Sequence, residues 1–336
     1  MSKTHPDISI IMPVYNAARY LKKAIESCLE QTIISSIELI LIDDHSQDNS
    51  VELIRMYSER YPDIITAVYL DKNGGQGAAR NIAISHSRGE YLLFVDSDDW
   101  IEPNTCEKMY EAAICKNADL VGADYYIHEK GNTMIRHLNY KSINDPKSEK
   151  QALAEFIMDS GFFWSRMYKK SIFTDENIEF PTGVLYEDSY VNFMAAMCAN
   201  KIIKISGQYY HYSINDYSSC HKQNDPRHYD REKIINLTYR SCIERGIYNQ
   251  NQELVDLKCI SMVAGGVYEY INLFDKPEPE RLKGICDSIR EKTPEFRNNR
   301  YYGMIPRSRR ILLEACMISP SLAILLFRIR RIRKSN

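Results

Sequence analysis

The first third of the chain alternates short apolar runs with helical patterns, and this alternation is the strongest constraint on the fold. The runs begin at Ile8, Ile37, Thr66, Tyr91 and Ala118, and each of the first four leads through a polar loop into apolar residues at helical spacing. Strands that alternate with helices at such short intervals predict a Rossmann-like, mostly parallel sheet flanked by helices. Ligands of such sheets bind beyond the carboxyl ends of the strands, so the polar loops should share one crevice.

The fourth run, Tyr91–Val95, leads directly into Asp96, Ser97, Asp98 and Asp99. If the alternation of a strand continues, Asp96 and Asp98 project to one side and Asp99 turns away. Neighbouring carboxylates at the end of a buried strand are costly unless a cation or hydrogen-bond donors neutralise them. Their oxygens suit Mg²⁺ or Mn²⁺, which are commonly shared with substrate phosphates. The structural alternative is that these residues only cap a helix or form a solvated turn.

Size, charge and cysteine content narrow the class of protein. The 336 residues can bury one large core or two modest ones, and the net charge of -2 argues against nucleic acid as a partner. Nine cysteines without a C-x-x-C pair argue against a disulfide framework or a zinc site. The polar amino terminus and the lack of a long apolar run predict a cytoplasmic protein.

Two common nucleotide motifs are missing from the sequence. The first strand-to-helix turn contains no glycine, so it lacks the G-x-G-x-x-G fingerprint, and no G-x-x-x-x-G-K-[ST] loop occurs. Dehydrogenase and ATPase functions are therefore disfavoured. Asp96-Ser97-Asp98 also resembles the motif of aspartyl-phosphate phosphatases of the haloacid dehalogenase type. That family usually places the motif on its first strand, so a phosphatase is a minor alternative.

Four segments together resemble the inverting nucleotide-sugar glycosyltransferases of family 2, which have the GT-A fold. The segments are Ile11–Asn16, Ile42–Ser50, Asn73–Asn81 and Phe94–Trp100, in the order and spacing of the family. His45 departs from the family, which commonly has glycine there. The resemblance implies a metal-dependent hexosyl- or N-acetylhexosaminyltransferase of bacterial surface-polysaccharide type. Its donor would be a UDP-sugar, and its acceptor a hydroxyl of a glycan or lipid-linked glycan.

The resemblance also implies a donor site. Pro13 and Tyr15 match residues that help to hold the base, and Asp44 matches the carboxylate that accepts the uracil N3–H. Arg80 matches a basic residue near the nucleotide and its phosphates. The complete set of implied nucleotide-sugar contacts is Pro13, Tyr15, Asn16, Asp44, Gly75, Arg80, Asp96, Ser97 and Asp98.

The metal and the catalytic base are assigned by the same resemblance. Asp96 matches the ribose-side residue of the D-x-D motif, and Asp98 matches the residue that binds Mn²⁺ or Mg²⁺ on the diphosphate. Glu187 and Asp188 precede an apolar helical pattern and resemble the Glu-Asp motif that supplies the family's base. By that match Asp188 is the base, and Glu187 supports it or contacts the acceptor. The alternative is that the pair only complements the amino end of a helix.

Aromatic residues and one histidine complete the candidates. Trp100, Trp164 and Tyr186 are candidate acceptor contacts because aromatic faces stack on sugar rings, although at least one of the three should belong to the core. His211 lies in a segment that resembles the family's Tyr-His-Tyr-type strand and is a candidate metal ligand. A lone histidine is more often a structural hydrogen-bonding group.

The expected domain organisation is a GT-A domain over 1–225, with a donor half (1–127) and an acceptor and base half (128–225), followed by a helical region over 226–336. Near the end, an apolar stripe from Leu322 to Ile332 lies beside basic residues, which suits an anionic membrane surface. Residues 319–336 are therefore a candidate peripheral membrane contact; alternatively, this helix packs on its own domain. A nucleotide-sugar-binding protein without catalysis remains the main alternative to an enzyme.

Overall fold

The structure is a computed structural model that describes residues 5–159, 163–215 and 222–335, with backbone only for 330–335. The described residues form two compact units. The first contains 5–153, 159, 163–183 and 187–215, and the second contains 154–158, 184–186 and 222–335.

The first unit is built on one sheet, which has nine strands in the described residues. The strands are β1 (Ile8–Val14), β2 (Ile37–Asp43), β3 (Ile65–Tyr69), β4 (Tyr91–Phe94), β5 (Trp100–Ile101), β6 (Leu120–Glu129), β7 (Asn132–Arg136), β8 (Arg166–Lys169) and β9 (Ile202–Ser213). Their order is β3-β2-β1-β4-β8-β6-β9-β5, and β7 pairs with β6.

The sheet has a parallel part and a mixed part. β1 pairs in parallel with β2 and β4, and β2 pairs in parallel with β3. β8 lies between β4 and β6 and runs antiparallel to both. The predicted α/β fold is therefore confirmed, but the sheet as a whole is mixed, because β5 and β7 also run antiparallel to their partners, β9 and β6. Every residue of β1 and β2 is buried, as expected for parallel strands covered on both faces.

In the described residues up to 198, seven α-helices precede or follow these strands. They are α1 (Ala18–Leu29), α2 (Ser50–Arg60), α3 (Gly75–His86), α4 (Thr105–Lys116), α5 (Lys150–Met158), α6 (Ser171–Thr174) and α7 (Glu187–Cys198). Sequence periodicity predicts most of these helices, but it does not predict α6. It also misses the amino ends of α3 and α7, which begin at Gly75 and Glu187, several residues before the first apolar residues of their patterns.

The described part of the second unit consists mainly of five helices. They are α8 (Asp230–Glu244), α9 (Ile247–Leu273), α10 (Pro279–Lys292), α11 (Arg307–Ile318) and α12 (Pro320–Ser335). Gly246 separates α8 from α9 with a φ of 68°, which glycine adopts without the steric penalty of a side chain. Within the described ranges, no helix combines the length and apolar character needed to cross a membrane.

The strand order brings the predicted loops to one edge of the sheet. From β1 the chain proceeds outward to β2 and β3 and then returns to β4 on the other side of β1. Such a reversal of strand order opens a crevice beyond the carboxyl ends of the strands. The residues that follow β1, β2 and β4 are therefore the ones that can line a ligand site.

Candidate active site

Asp44 follows β2 and binds the amino end of α3. Its Oδ1 accepts the backbone N–H of Gly74 at 2.7 Å, and its Oδ2 accepts that of Gly75 at 2.8 Å. The carboxylate thus satisfies amides that a helix cannot satisfy itself. Burial raises the pKa of Asp44, while these two hydrogen bonds act in the opposite direction.

The loop after β1 is held against the loop after β2. Pro13 is buried in β1, where its missing N–H costs little because β4 has already ended beside it: Ile11 pairs with Phe94, the last residue of β4. Asn16 Oδ1 accepts the backbone N–H of Gln47 at 2.7 Å. Tyr15 is 49% exposed, so its ring is accessible at this edge of the sheet.

His45 adopts the backbone conformation that the family's glycine would favour. Its φ is 65°, in the left-handed region that is costly for residues with a side chain. His45 therefore holds a backbone conformation that glycine would adopt at less cost.

Asp96, Ser97, Asp98 and Asp99 form a turn rather than a continuation of the strand. β4 ends at Phe94, and Asp99 N–H donates to the carbonyl oxygen of Asp96 at 3.1 Å. The alternation of a strand therefore does not continue to Asp96 and Asp98, and the turn sets the direction of each side chain instead. Asp99 is 1% exposed, whereas the other three residues are half-buried.

The pair Asp96 and Asp98 suits a divalent cation. Burial and the negative charge of Asp96 raise the pKa of Asp98 to about 6, despite a hydrogen bond from Asn215 Nδ2 at 2.6 Å. A cation would relieve this repulsion, and carboxylate oxygens are ligands that Mg²⁺ and Mn²⁺ prefer. Among the described residues, no three His, Cys, Asp or Glu side chains are grouped to hold a metal. The donor set thus fits an ion whose remaining ligands come from substrate phosphate and water.

Arg80 joins this turn to the start of α7. The side chain projects from α3, is 3% exposed, and donates from Nη2 to Asp96 Oδ1 at 2.9 Å and from Nη1 to Glu187 Oε1 at 2.8 Å. Burial alone would lower the pKa of Arg80, but the charges of Asp96, Glu187 and Asp188 raise it overall. The guanidinium is therefore committed to carboxylates of the protein itself.

The segment that leads to α7 approaches α3 closely. Asn81 and Phe180 form a reciprocal pair, in which Asn81 Nδ2 donates to the Phe180 carbonyl at 2.9 Å and Phe180 N–H donates to Asn81 Oδ1 at 2.8 Å. Gly77 allows this approach, because a Cβ there would lie 2.5 Å from the carbonyl oxygen of Pro181. These contacts keep the neighbourhood of Glu187 against the helix that carries Arg80.

Glu187 and Asp188 are the first two residues of α7. Glu187 is 7% exposed, and burial raises its pKa to about 7 although Arg80 lowers it. Asp188 is half-buried, and its Oδ1 accepts the backbone N–H of Ser189 at 2.7 Å. The sequence-predicted residues Arg80, Asp96 and Glu187 therefore form one continuous hydrogen-bonded group, with Asp188 beside it.

Comparison with known proteins identifies the family. The profile of glycosyl transferase family 2 matches residues 9–175, which include Asp44, Arg80 and the Asp96–Asp98 turn. The chain belongs to this family. The prediction made from the four sequence segments is thereby confirmed.

Two curated relatives illustrate how far the similarity extends. The glycosyltransferase GlyA of Streptococcus pneumoniae is 33% identical over 219 residues, which are 62% of this chain and 30% of GlyA. The poly(ribitol-phosphate) β-N-acetylglucosaminyltransferase TarP of Staphylococcus aureus is 29% identical over 255 residues, 73% of this chain and 75% of TarP. This family 2 chain therefore spans less than two thirds of the length of GlyA.

A solved structure shares the fold over almost the whole chain. Residues 1–349 of S. aureus TarS, crystallised with UDP-GlcNAc, superpose with a TM-score of 0.70 and 18% identity, covering 97% of this chain and 91% of that one. At this level of identity the likeness establishes the GT-A fold of the family 2 chain.

The structure places His211 in an aromatic cluster. Its Nδ1 is 2.9 Å from His128 Nε2, its Nε2 is 2.8 Å from Glu102 Oε1, and its ring stacks on Trp100 and Tyr126. Both ring nitrogens are therefore engaged with protein groups. The metal role of His211 stays a prediction, and it would require one of these nitrogens to leave its partner.

The three candidate acceptor contacts lie in different surroundings. Trp164 is 7% exposed and stacks on Tyr210, with ring centroids 4.2 Å apart, so it packs in the core, which does not favour its predicted acceptor role. Trp100 is half-buried in the cluster around His211, with Lys23 Nζ 2.8 Å from its ring centroid. Tyr186 lies in the second unit, where its hydroxyl is 2.7 Å from His228 Nδ1. The acceptor roles of Trp100 and Tyr186 stay predictions.

Sequence reasoning missed three residues that organise the site. Asn81 holds the segment before α7, while Asp99 and Tyr210 hold the Asp96–Asp98 turn. Asn81 is the last residue of a matching segment, which was the available signal. For Tyr210 the sequence signal is its place in the aromatic run that also contains His211.

Proposed function

We propose that this chain is a metal-dependent, inverting glycosyltransferase that moves a sugar from a UDP-sugar to a hydroxyl of a glycan or lipid-linked glycan. The observation that carries the proposal is the hydrogen-bonded group of Arg80, Asp96 and Glu187. It links a paired-carboxylate turn after β4 with a second acidic pair at the start of α7. Membership of family 2 supports the reaction class, and it leaves the phosphatase alternative without support.

The chain's own residues would divide the reaction between them. Asp188 takes the proton of the acceptor hydroxyl as that oxygen attacks the anomeric carbon from the face opposite the nucleotide. A bond forms between the acceptor oxygen and the anomeric carbon, and the bond from that carbon to the diphosphate oxygen breaks. Glu187 and Arg80 keep the beginning of α7 in place beside Asp96.

Asp98, with Asp96 beside it, would hold the cation. When bound, Mn²⁺ or Mg²⁺ neutralises charge on the departing nucleoside diphosphate. The closeness of two carboxylates supports this assignment: burial, and after it the charge of Asp96, raises the pKa of Asp98, and a bound cation would relieve that repulsion. The crystallisation of TarS with UDP-GlcNAc supports a UDP-sugar as the donor. The name of TarP supports a polymer of the bacterial surface as the acceptor.

A donor screen tests the proposal. The protein is incubated with Mn²⁺ or Mg²⁺ and a panel of UDP-, GDP- and dTDP-sugars, and release of free nucleoside diphosphate is measured. We expect release from a UDP-sugar, its loss on addition of a chelator, and a decrease of at least about 100-fold in Asp98→Ala, since a metal ion supplies several kcal/mol of charge stabilisation. Asp63→Ala is the matched control, because Asp63 is exposed before β3, at the opposite edge of the sheet.

Other outcomes would change the conclusion. Turnover that persists in a chelator would contradict the metal role of Asp98. Binding of UDP without turnover of any donor, even with a lipid-linked glycan extract present, would favour the non-catalytic binding protein. Absence of UDP binding would remove the nucleotide site itself from the proposal.

We further propose that α12 contacts an anionic membrane surface, where a lipid-linked acceptor would be found. Ala323 and Phe327 are buried, and the Phe327 ring packs on Tyr268 with centroids 5.4 Å apart. The stripe on another face of the helix stays exposed, namely Leu322, Leu325, Leu326 and Ile329. Arg328 is also exposed, and four more basic residues follow it in the sequence. An exposed apolar stripe beside cationic charge fits an interfacial helix.

Co-sedimentation with vesicles tests this contact. We expect the full chain to bind vesicles that contain phosphatidylglycerol and to bind phosphatidylcholine vesicles weakly. Leu325→Asp should lower the affinity about tenfold or more, because burying a leucine side chain is worth about 1.5–3 kcal/mol. Ile243→Asp is the control, since Ile243 is similarly exposed but lies on α8. Equal binding by both variants and the wild type, or equal binding to both lipids, would contradict the proposal.

A further inference from the structure

The turn that carries Asp96 and Asp98 is fastened to β9 by the buried carboxylate of Asp99. Asp99 Oδ1 accepts the backbone N–H of Ser213 at 2.7 Å, and its Oδ2 accepts the hydroxyl of Tyr210 at 2.7 Å. The Tyr210 hydroxyl oxygen in turn accepts the backbone N–H of Asp96 at 3.1 Å. One hydroxyl therefore connects the first and last residues of the turn.

Tyr210 reaches the turn because β9 contains a bulge. Ala123 of β6 pairs with Ile205, whereas Tyr125 pairs with Tyr210, so four residues of β9 face one residue of β6. Side chains alternate between the faces of a strand, so an excess of three residues, an odd number, moves the following side chains to the other face. Tyr210 consequently lies on the face opposite to the one it would occupy in an uninterrupted ladder. Gly207, with a φ of 111°, lies within the bulge.

The position of the Tyr210 ring is also fixed. Tyr210 is 2% exposed, and its ring is stacked on Trp164 with an interplanar angle of 19°. The hydroxyl is therefore presented to Asp99 by a ring that cannot turn freely. This arrangement is unnecessary for a solvated turn, but it suits a turn whose side chains must keep a fixed separation.

We propose that Tyr210 and Asp99 are positioning residues that hold the Asp96–Asp98 turn in the arrangement that binds the cation and the nucleotide diphosphate. Neither side chain contacts the substrate; both act through the backbone of the turn. The inference rests on the proposed function, and it assigns Trp164 a supporting role as the surface on which Tyr210 stacks. Partners that orient metal ligands commonly contribute 10–100-fold to metal affinity.

Calorimetric titration of UDP at several Mn²⁺ concentrations, and in EDTA, tests the proposal. Tyr210→Phe removes the hydroxyl and keeps the ring. We expect the Mn²⁺ concentration for half-maximal UDP binding to rise about 10–100-fold, while the weak UDP affinity measured in EDTA stays unchanged. Tyr209→Phe is the matched control, because the Tyr209 hydroxyl donates to the carbonyl oxygen of Ser206, at 3.1 Å, rather than to the turn.

The outcomes separate the inference from the proposed function. If the wild type binds no UDP in the presence of Mn²⁺, the proposed function fails and the inference with it. If the wild type binds and Tyr210→Phe has the same Mn²⁺ dependence, only the inference is overturned. An equal loss of UDP affinity with and without Mn²⁺ would also overturn it, because general damage to the site would then be the cause.

A double variant tests whether the two residues act together. This double variant combines Tyr210→Phe with Asp99→Asn. If Tyr210 acts through Asp99, the Mn²⁺ concentration for half-maximal UDP binding should be no higher in this double variant than in the more affected single variant. Additive effects would show that the two side chains act independently. That result would overturn the assignment of a single positioning unit.

Discussion

Replacing Asp188 by asparagine is expected to lower the rate of sugar transfer by about 10²–10⁴-fold, the usual contribution of a general base, and to leave UDP affinity unchanged. Asparagine has nearly the same shape, and its oxygen can still accept the Ser189 N–H that Asp188 Oδ1 accepts at 2.7 Å. The amide cannot take a proton from the acceptor hydroxyl. The effect should therefore appear in kcat for transfer rather than in donor binding.

Transfer rates and UDP titrations on the same preparations check this expectation. Asp175→Asn is the control, because Asp175 is an exposed carboxylate that follows α6. Transfer at the wild-type rate by Asp188→Asn would show that another group is the base. A loss of UDP affinity in this variant would instead assign Asp188 to the donor site.

Replacing Arg80 by alanine is expected to lower the free energy of unfolding by about 3–5 kcal/mol, the usual cost of breaking a buried ion pair from one side. The change leaves Asp96 and Glu187 without the guanidinium that lies within 2.9 Å of both. Urea denaturation measures the effect. Arg55→Ala, at an exposed position of α2, should change stability by less than about 0.5 kcal/mol.

The loss of stability in Arg80→Ala should increase with pH. The pKa of Glu187 is raised from an ordinary 4.5 to about 7 in the folded state, so the folded protein binds this proton more strongly than the unfolded chain does. The resulting contribution of Glu187 to the free energy of unfolding is fully present below pH 4.5 and is lost as the pH rises through 7. Arg80 lowers that pKa and partly protects the ionised form. The variant should therefore be closest to the wild type near pH 5 and furthest from it near pH 8. A deficit that does not change with pH would exclude Glu187 as the main partner that Arg80 stabilises.

The parallel part of the fold was predictable from sequence because each strand and the helix after it are neighbours in the chain. Apolar runs and helical periodicity located β1 to β4 and α1 to α4 to within a few residues. The mixed part was not predictable in the same way. β8 contains only Arg166–Lys169, and its position between β4 and β6 depends on pairing with residues more than 40 positions away. Local sequence patterns do not indicate which distant strands a strand pairs with.

The candidate site was partly predictable for a related reason. The resemblance to the family predicted that Arg80, Asp96 and Glu187 belong to one site, and the structure joins them by hydrogen bonds. Sequence could not show that Arg80 would bond to carboxylates of the chain, since residues 80 and 187 are 107 positions apart. The sequence also could not show which of the candidate side chains are packed inside the protein. Trp164 and His211 have residue types that suit ligand binding, yet their rings stack within the protein.

The neutralisation of the positive groups at this edge of the sheet has a further consequence. The amino end of α3 is already bonded to Asp44, and Arg80 is already bonded to Asp96 and Glu187. Among the described residues, these two positive groups are thus engaged with protein carboxylates, and a cation that accompanies a nucleoside diphosphate would supply the counter-charge. For the proposed enzyme, the fraction of molecules carrying donor would follow the free divalent cation concentration in the cell as closely as the supply of sugar nucleotide. The rate of glycan assembly would then respond to two intracellular pools rather than one.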